Sequence, residues 1–268
     1  MTNTTIEPRH TNTAEDRHRI NTVERDNSGE AALFKPFWND TSIKTYLFDA
    51  CSVLLPAGEQ FVISVVESSA LRLQQTSALA ERSRSFVAEE RSHQRAHRLY
   101  NQQLENQGFE VKKFEHMIEK DLEALRSKLS LKAQLALAAA FEHVTAVMST
   151  AALRRNGLLS VKESPQTRLW RWHCTEEVAH QHVTTDLARA LGIPYWQRIF
   201  YFLAASGLMA FDVIRHMHSF ARLDIARGRV SSKEVRRAAG SLLLRDGANL
   251  ASMAIGWAAY FLPLKRRD

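Results

Sequence analysis

The stretch WRWHCTEEVAHQH, Trp170 to His182, puts three histidines and two glutamates into thirteen residues. A helix turns about 100° per residue, so His173, Glu177 and His180, at i, i+4 and i+7, project within roughly 60° of arc. Glu176 falls at the edge of that stripe and His182 points to the other side. Alone, such a stripe reads as a solvated polar face as readily as a metal site. Partners elsewhere in the chain decide between the two.

Those partners exist. FVAEERSHQRAHRLYN contains Glu90-x-x-His93, and the opening stretch contains Glu177-x-x-His180. At i, i+3 a carboxylate and an imidazole share one face, so the Glu can bridge two metals while the His binds one. Two further segments each carry a glutamate in an apolar setting, Glu59 in PAGEQF and Glu142 in AAAFEHVTA. Two single-Glu helices plus two Glu-x-x-His helices form the ligand set of carboxylate-bridged di-iron and di-manganese four-helix bundles. Four carboxylates neutralise two divalent cations, and burying them without metal would be costly. Oxygen and imidazole ligands without thiolate suit iron or manganese better than a structural zinc. The expectation is therefore two irons, with manganese or zinc as alternatives.

His173, one turn before Glu177, can reach the same metal as His180. His97, one turn after His93, and His143, about 100° round from Glu142, are the candidate catalytic residues, as extra ligands, orienting groups or proton shuttles. Glu89, Glu176 and Asp186 can either hydrogen-bond ligand histidines or stand on the surface. Trp170, Trp172, Phe86 and Phe141 read as packing, with Trp172 also a candidate redox neighbour. The Cys174 thiol reads as a small buried side chain, since no base is placed to activate it.

The rest of the chain fits an all-α protein. Only 10 Gly and 6 Pro occur in 268 residues, and alternating strand patterns are few. The expected architecture is a ferritin-like four-helix bundle core with additional apolar C-terminal helices. Residues 1–32 are polar, aperiodic and expected to be disordered; 33–192 form the metal-binding bundle; 193–268 pack on it. Pro56 is expected to break the chain before AGEQFVISVVESSALRL. Helices are expected from about Ser77 to Gln107, over EVKKFEHMIEKDLEALRSKL, from a Ser130 cap to Asn156-Gly157, and from about Thr167 to Leu191. Beyond Pro194, IFYFLAASGLMAFDVI and NLASMAIGWAAYFLPL are strongly apolar. Each is shorter than the roughly 18–20 residues of a bilayer span. The expectation is buried core helices; a channel wall or a membrane-surface contact through 195–218 and 249–264 is the other reading.

Two cysteines exclude a disulfide scaffold and a thiolate metal site. That and the lack of an apolar leader point to the cytoplasm. The net charge is +7; the Lys/Arg residues read as spread out apart from a terminal KRRD, and no basic stripe with a reading motif is found, which argues against nucleic acid. No G-x-G-x-x-G fingerprint is present, so electrons for any redox reaction come from a partner protein or the substrate. The sequence leaves the oligomeric state open.

The blocks PAGEQF, EERSHQRAHRLYN, FEHVTA and WHCTEEVAHQHVTTD resemble those of a bacterial family of predicted metal-dependent hydrolases, over about residues 35–260. The resemblance implies a mainly helical metal-binding protein and carries over Glu59, Glu90, His93, His97, Glu142, His143, His173, Glu177 and His180. Two places depart from the family pattern. Val183-Thr184-Thr185-Asp186 stands where Val-Ala-Phe-Asp is expected, and the C-terminus lacks a Phe-His-Pro ending. The ligand order is also similar to that of di-iron arylamine N-oxygenases. The function expected is an O2-activating di-iron oxidase or oxygenase acting on a hydrophobic or aromatic small molecule. A metal-dependent hydrolase and a non-enzymatic metal-binding bundle are the alternatives.

Overall fold

The computed structural model describes residues 37–73, 77–180 and 182–262; the expectation of disorder over 1–32 lies outside them. Among the described residues the regular elements are α-helices and one 3₁₀ turn, with no strand, as the composition implies. The helices are α1 (Ser42–Ala70), α2 (Ala78–Asn106), α3 (Val111–Lys128), α4 (Leu131–Leu153), α5 (Pro165–His180), α6 (Val183–Ala190), α7 (Tyr195–Ala226), α8 (Ser232–Arg245) and α9 (Gly247–Ala258). Their starts follow capping chemistry. Thr41, Ser77 and Ser130 each accept a backbone N–H of the first turn, and Ser231 forms a full capping box with Glu234. Gly108, just past α2, takes a left-handed φ of +84°.

Two apolar clusters order the helices. Along α1, Tyr46 to Ala57 belong to the first cluster and Phe61 to Val66 to the second. Along α2 the order reverses, with Phe86 and Val87 in the second cluster and Ala96, Tyr100 and Leu104 in the first. α4 also runs from the second (Leu135, Ala136) to the first (Ala151, Ala152). α5 begins in the first cluster with Leu169 and Trp170, and α6 enters the second with Val183 and Leu187. Hence α1 and α5 run one way, α2 and α4 the other, and α3 carries the chain back. Glu59, Glu90, Glu142 and Glu177 all fall at the boundary between the two clusters.

Three expectations are corrected. First, α1 does not stop at Pro56 but runs through it. A proline inside a helix removes one N–H and orphans the carbonyl four residues earlier; here that carbonyl, of Ser52, receives Asn101 Nδ2 at 3.0 Å. Second, the helix expected from Thr167 to Leu191 is two helices. α5 ends at His180, held by carboxylates of α2, and α6 restarts so that Val183, Thr184 and Leu187 are buried. Third, the apolar C-terminal segments are not buried core helices. The first belongs to the 32-residue α7, which packs on α1 and α4 by one face only. By length and composition α1, α4 and α7 are all apolar enough to cross a membrane, but their most apolar windows are 83%, 67% and 17% buried, respectively. In α1 and α4 the apolar residues fill the protein interior; in α7 they mostly face outward.

Candidate metal centre

Four helices deliver eight ligand-type side chains to the boundary layer: Glu59 from α1; Glu90, His93 and His97 from α2; Glu142 from α4; His173, Glu177 and His180 from α5. All eight are buried. Ligand atoms of Glu90, His93, Glu177 and His180 lie within 4.8 Å of one another, and so do those of Glu59, His97 and His173. This grouping differs from the expectation in one respect: His173 gathers with Glu59 and His97 rather than with His180. Glu142 belongs to neither group in this side-chain arrangement, yet it stands in the electrostatic field of Glu90, Glu177, His93 and Glu59. His143 does not join the cluster. Its Nε2–H donates to the Gly256 carbonyl at 2.9 Å, and its ring lies against Phe202 and Tyr260. Its position one residue after Glu142 turns it toward α7 and α9.

Several imidazoles are oriented by a partner on their outer nitrogen. Ser52 O–H donates to Asn101 Oδ1 at 2.7 Å, so Ser52 Oγ has only a lone pair for His97 Nδ1, 2.9 Å away. His97 is therefore the Nδ1–H tautomer, and its Nε2 is a bare lone pair in the interior. His93 Nε2–H donates to Glu176 Oε2 at 2.8 Å, and Trp172 Nε1–H donates to the other oxygen of Glu176 at 2.9 Å. That leaves His93 Nδ1 directed at the cluster, 3.3 Å from Glu177 Oε1 and 3.6 Å from Glu90 Oε1. His180 Nε2 is held by Glu89, and its Nδ1 lies 2.8 Å from Glu90 Oε1. Thr145 Oγ1 donates to Glu177 Oε2 at 2.7 Å. Glu89 and Glu176 thus take the hydrogen-bonding option the sequence left open. Asp186 instead pairs with Arg82 and Arg189. Trp170 and Trp172 lie against His97 and His93.

The protonation pattern follows from burial and neighbours. Burial pushes the carboxyls of Glu59 and Glu142 far above the usual range, and the adjacent carboxylates push them further. Burial acts against ionised Glu90 too, but His93 and His180 hold it down to about 2. Burial opposes the charge on His180, yet Glu89 and Glu90 raise it to about 10. His93 is raised as well, against burial, by Glu90, Glu176 and Glu177. Burial, with the charge of His93, drives His97 and His173 far below the ordinary histidine range. Without metal, burial and neighbours push Glu59 and Glu142 toward the acid, hold Glu90 and Glu177 toward the carboxylate, and set His93 and His180, raised, against His97 and His173, lowered.

Whether these residues suit metal ions is tested by their unused valence. Both oxygens of Glu59, Glu90 Oε2, His93 Nδ1, His97 Nε2, Glu142 Oε2 and His173 Nδ1 are buried with no hydrogen-bond partner. Each buried orphan costs about 1–3 kcal/mol, and natural structures carry few of them. Seven in one layer, all of ligand type and none of them sulfur, fit cations bound by oxygen and nitrogen.

Ser52, Asn101 and Thr145 were not singled out from the sequence. Their spacing is a usable signal: Ser52 is seven residues before Glu59, Asn101 four after His97 and Thr145 three after Glu142, each on the ligand stripe of its helix.

Fold and site together define a helical protein with a buried carboxylate–imidazole cluster able to hold metal ions. Residues 25–264 match the model of the family described as predicted metal-dependent hydrolase. The chain belongs to that family, as the motif blocks imply. No curated protein and no solved structure matches it.

Proposed function

We propose that the chain is a dinuclear metal enzyme that binds two irons and uses O2 to oxidise a hydrophobic or aromatic small molecule. The observation that carries the reading is the layer of four buried glutamates and four buried histidines with seven unpartnered ligand atoms. Glu90, His93, Glu177 and His180 would hold one ion and Glu59, His97 and His173 the other, with Glu142 beside both. Bound iron would supply the electrons that reduce O2. A redox partner protein or the substrate would return them. The helix directions, with α3 as the return, support a ferritin-like bundle of the kind that holds such centres.

The chain's own residues shape the centre for that task. Glu176 and Glu89 fix the imidazoles of His93 and His180 by their outer N–H groups, and the Ser52–Asn101 pair fixes His97. Thr145 O–H holds one oxygen of Glu177 and leaves the other to the cluster. Apolar clusters above and below exclude bulk water, which strengthens every charge interaction inside.

Hydrolysis is the second reading, and the family description favours it. It needs a Lewis acid and an activated water, and no redox change. One experiment separates the two. The protein is expressed in iron- and manganese-supplemented cells, its metals are counted, and it is reduced anaerobically and mixed with O2 in a spectrophotometer. About two irons per chain and a transient visible band are expected. Zinc or manganese with no O2 response, and ester or phosphoester turnover without oxygen, would give the site to hydrolysis. Absence of any bound metal would remove both readings.

A further inference from the structure

α7 has two unlike faces. Its inner face is committed to the protein: Arg198, Phe202, His216 and Phe220 are buried, and buried Asp224 accepts the Tyr46 O–H of α1 at 2.9 Å. Its outer face exposes Trp196, Phe200, Leu203, Phe211 and Ile214. These recur at helical spacing and form one stripe about 27 Å long. The only acid in this part of the helix, Asp212, is held by Arg215 at 2.8 Å. α9 extends the apolar surface. Trp257 Nε1–H donates to Ser206 Oγ on α7 at 2.9 Å, and Ile255 and Leu262 point outward. An exposed apolar surface of this length marks an interaction site.

We propose that the outer face of α7 and α9 docks on the surface of an anionic lipid bilayer. Charge argues for this occupant. From Arg215 to Arg245 the chain carries eight Lys/Arg against two Asp/Glu, a surplus of six, while the whole chain has +7. Arg222, Arg236, Arg237 and Arg245 in that segment are exposed. The positive charge is therefore concentrated in the segment that follows the apolar stripe along the chain, and anionic headgroups would neutralise it. A second copy on this face would bring an equal surplus of cations. The geometry is peripheral, because the inner face of α7 is held by α1 and α4 and cannot leave them to enter lipid. An apolar helix face with adjacent cations lies in the interfacial plane. The inference does not depend on which metal the centre holds.

The full chain is floated with vesicles of phosphatidylcholine alone and of phosphatidylcholine with about one third phosphatidylglycerol. Binding to the anionic vesicles, weakened by high salt, is expected. Phe200→Glu with Phe211→Glu lowers partitioning at least about tenfold, and Arg236→Glu with Arg237→Glu lowers it by a similar factor at low salt only. Both variants should keep wild-type helicity and metal content, since all four residues are exposed. The inference is overturned if the wild-type chain floats with neither vesicle, or if the Phe200/Phe211 variant floats as well as wild type. A stable dimer in sedimentation equilibrium that this variant dissociates, without lipid binding, gives the face to a second copy and overturns it too.

Discussion

Asn101 replaces the amide hydrogen that Pro56 lacks. Its Nδ2 donates to the Ser52 carbonyl at 3.0 Å, which a residue other than proline at position 56 would reach with its own N–H. The same Asn101 then accepts the Ser52 hydroxyl through Oδ1, and that hydroxyl fixes the tautomer of His97. The proline is thus joined to the metal centre by two hydrogen-bonding residues. Ser52→Ala removes the acceptor of His97 Nδ1–H. We expect about a 10- to 100-fold loss of metal affinity, the size usual for a group that orients a ligand histidine. The loss should fall on one metal of the two, and Ser52→Thr should restore part of it. Stepwise metal titration reads this out; equal weakening of both metals would contradict the assignment of His97 to one group.

The four glutamates should divide into two pairs. Glu59 and Glu142 hold their protons in the metal-free protein because burial and neighbouring carboxylates disfavour the charge. Glutamine copies a protonated glutamate in shape and charge. Glu59→Gln and Glu142→Gln should therefore leave the metal-free melting temperature nearly unchanged while lowering metal content. Glu90 is different: it is the counter-charge of His93 and His180. Glu90→Gln strands buried cations and should cost a few kcal/mol even without metal. Equal destabilisation of all three metal-free variants would refute the division.

Most of the candidate cluster is legible because it obeys helix periodicity: Glu90, His93 and His97, and His173, Glu177 and His180, each line one stripe of one helix. What decides the grouping was not legible. His173 sides with Glu59 and His97 because of how α1, α2 and α5 approach in space, and i, i+4 spacing carries no such information. The continuity of α1 through Pro56 depends on Asn101, 45 residues away. The joint between α5 and α6 has neither Gly nor Pro to announce it. The exposure of α7 is not legible in the sequence, because an apolar helix reads the same whether protein or another phase covers it.

Uptake of two divalent cations should release about four protons. Glu59, Glu142, His93 and His180 are the four groups whose surroundings favour the protonated form in the metal-free cluster. Two divalent cations replace them with no change in buried charge, which avoids the cost of an uncompensated ion in the interior. Affinity should therefore rise with pH. Calorimetric titration in buffers of different ionisation enthalpy counts the protons. Release of one or none would mean that the acids are already ionised in the metal-free protein.

Gly58 lets α1 approach α4 next to the ligands. A Cβ there would collide with the ring of Phe141, one residue from Glu142 as Gly58 is one residue from Glu59. Gly58→Ala should cost about 1–3 kcal/mol by overpacking. It should also lower metal content, by spreading Glu59 from Glu142. Adding Phe141→Leu makes room and should recover both. A double variant that regains stability without metal would show that the spacing of the helices is not what positions Glu59.

Asp49 should give the protein a pH dependence of its own, away from the ligands. Its Oδ1 accepts the Tyr100 hydroxyl at 2.5 Å and Trp38 Nε1–H at 3.1 Å. Burial nevertheless raises its carboxyl to about 7, against the two hydrogen bonds and with help from the charge of Asp224. The unfolded value is about 4. Between these values the folded state holds a proton that the unfolded state has lost, so stability falls as pH rises from about 4 to about 7 and levels off above. Three pH units correspond to at most about 4 kcal/mol. Asp49→Asn keeps Oδ1 as the acceptor of both bonds and cannot ionise. Its melting temperature should gain on the wild type between pH 5 and pH 8, and the gap should be widest at pH 8. Thermal unfolding at the two pH values checks this. A gap that stays the same from pH 5 to pH 8 would mean that Asp49 is ionised throughout and stabilised by Tyr100 and Trp38, the opposite of what its burial dictates.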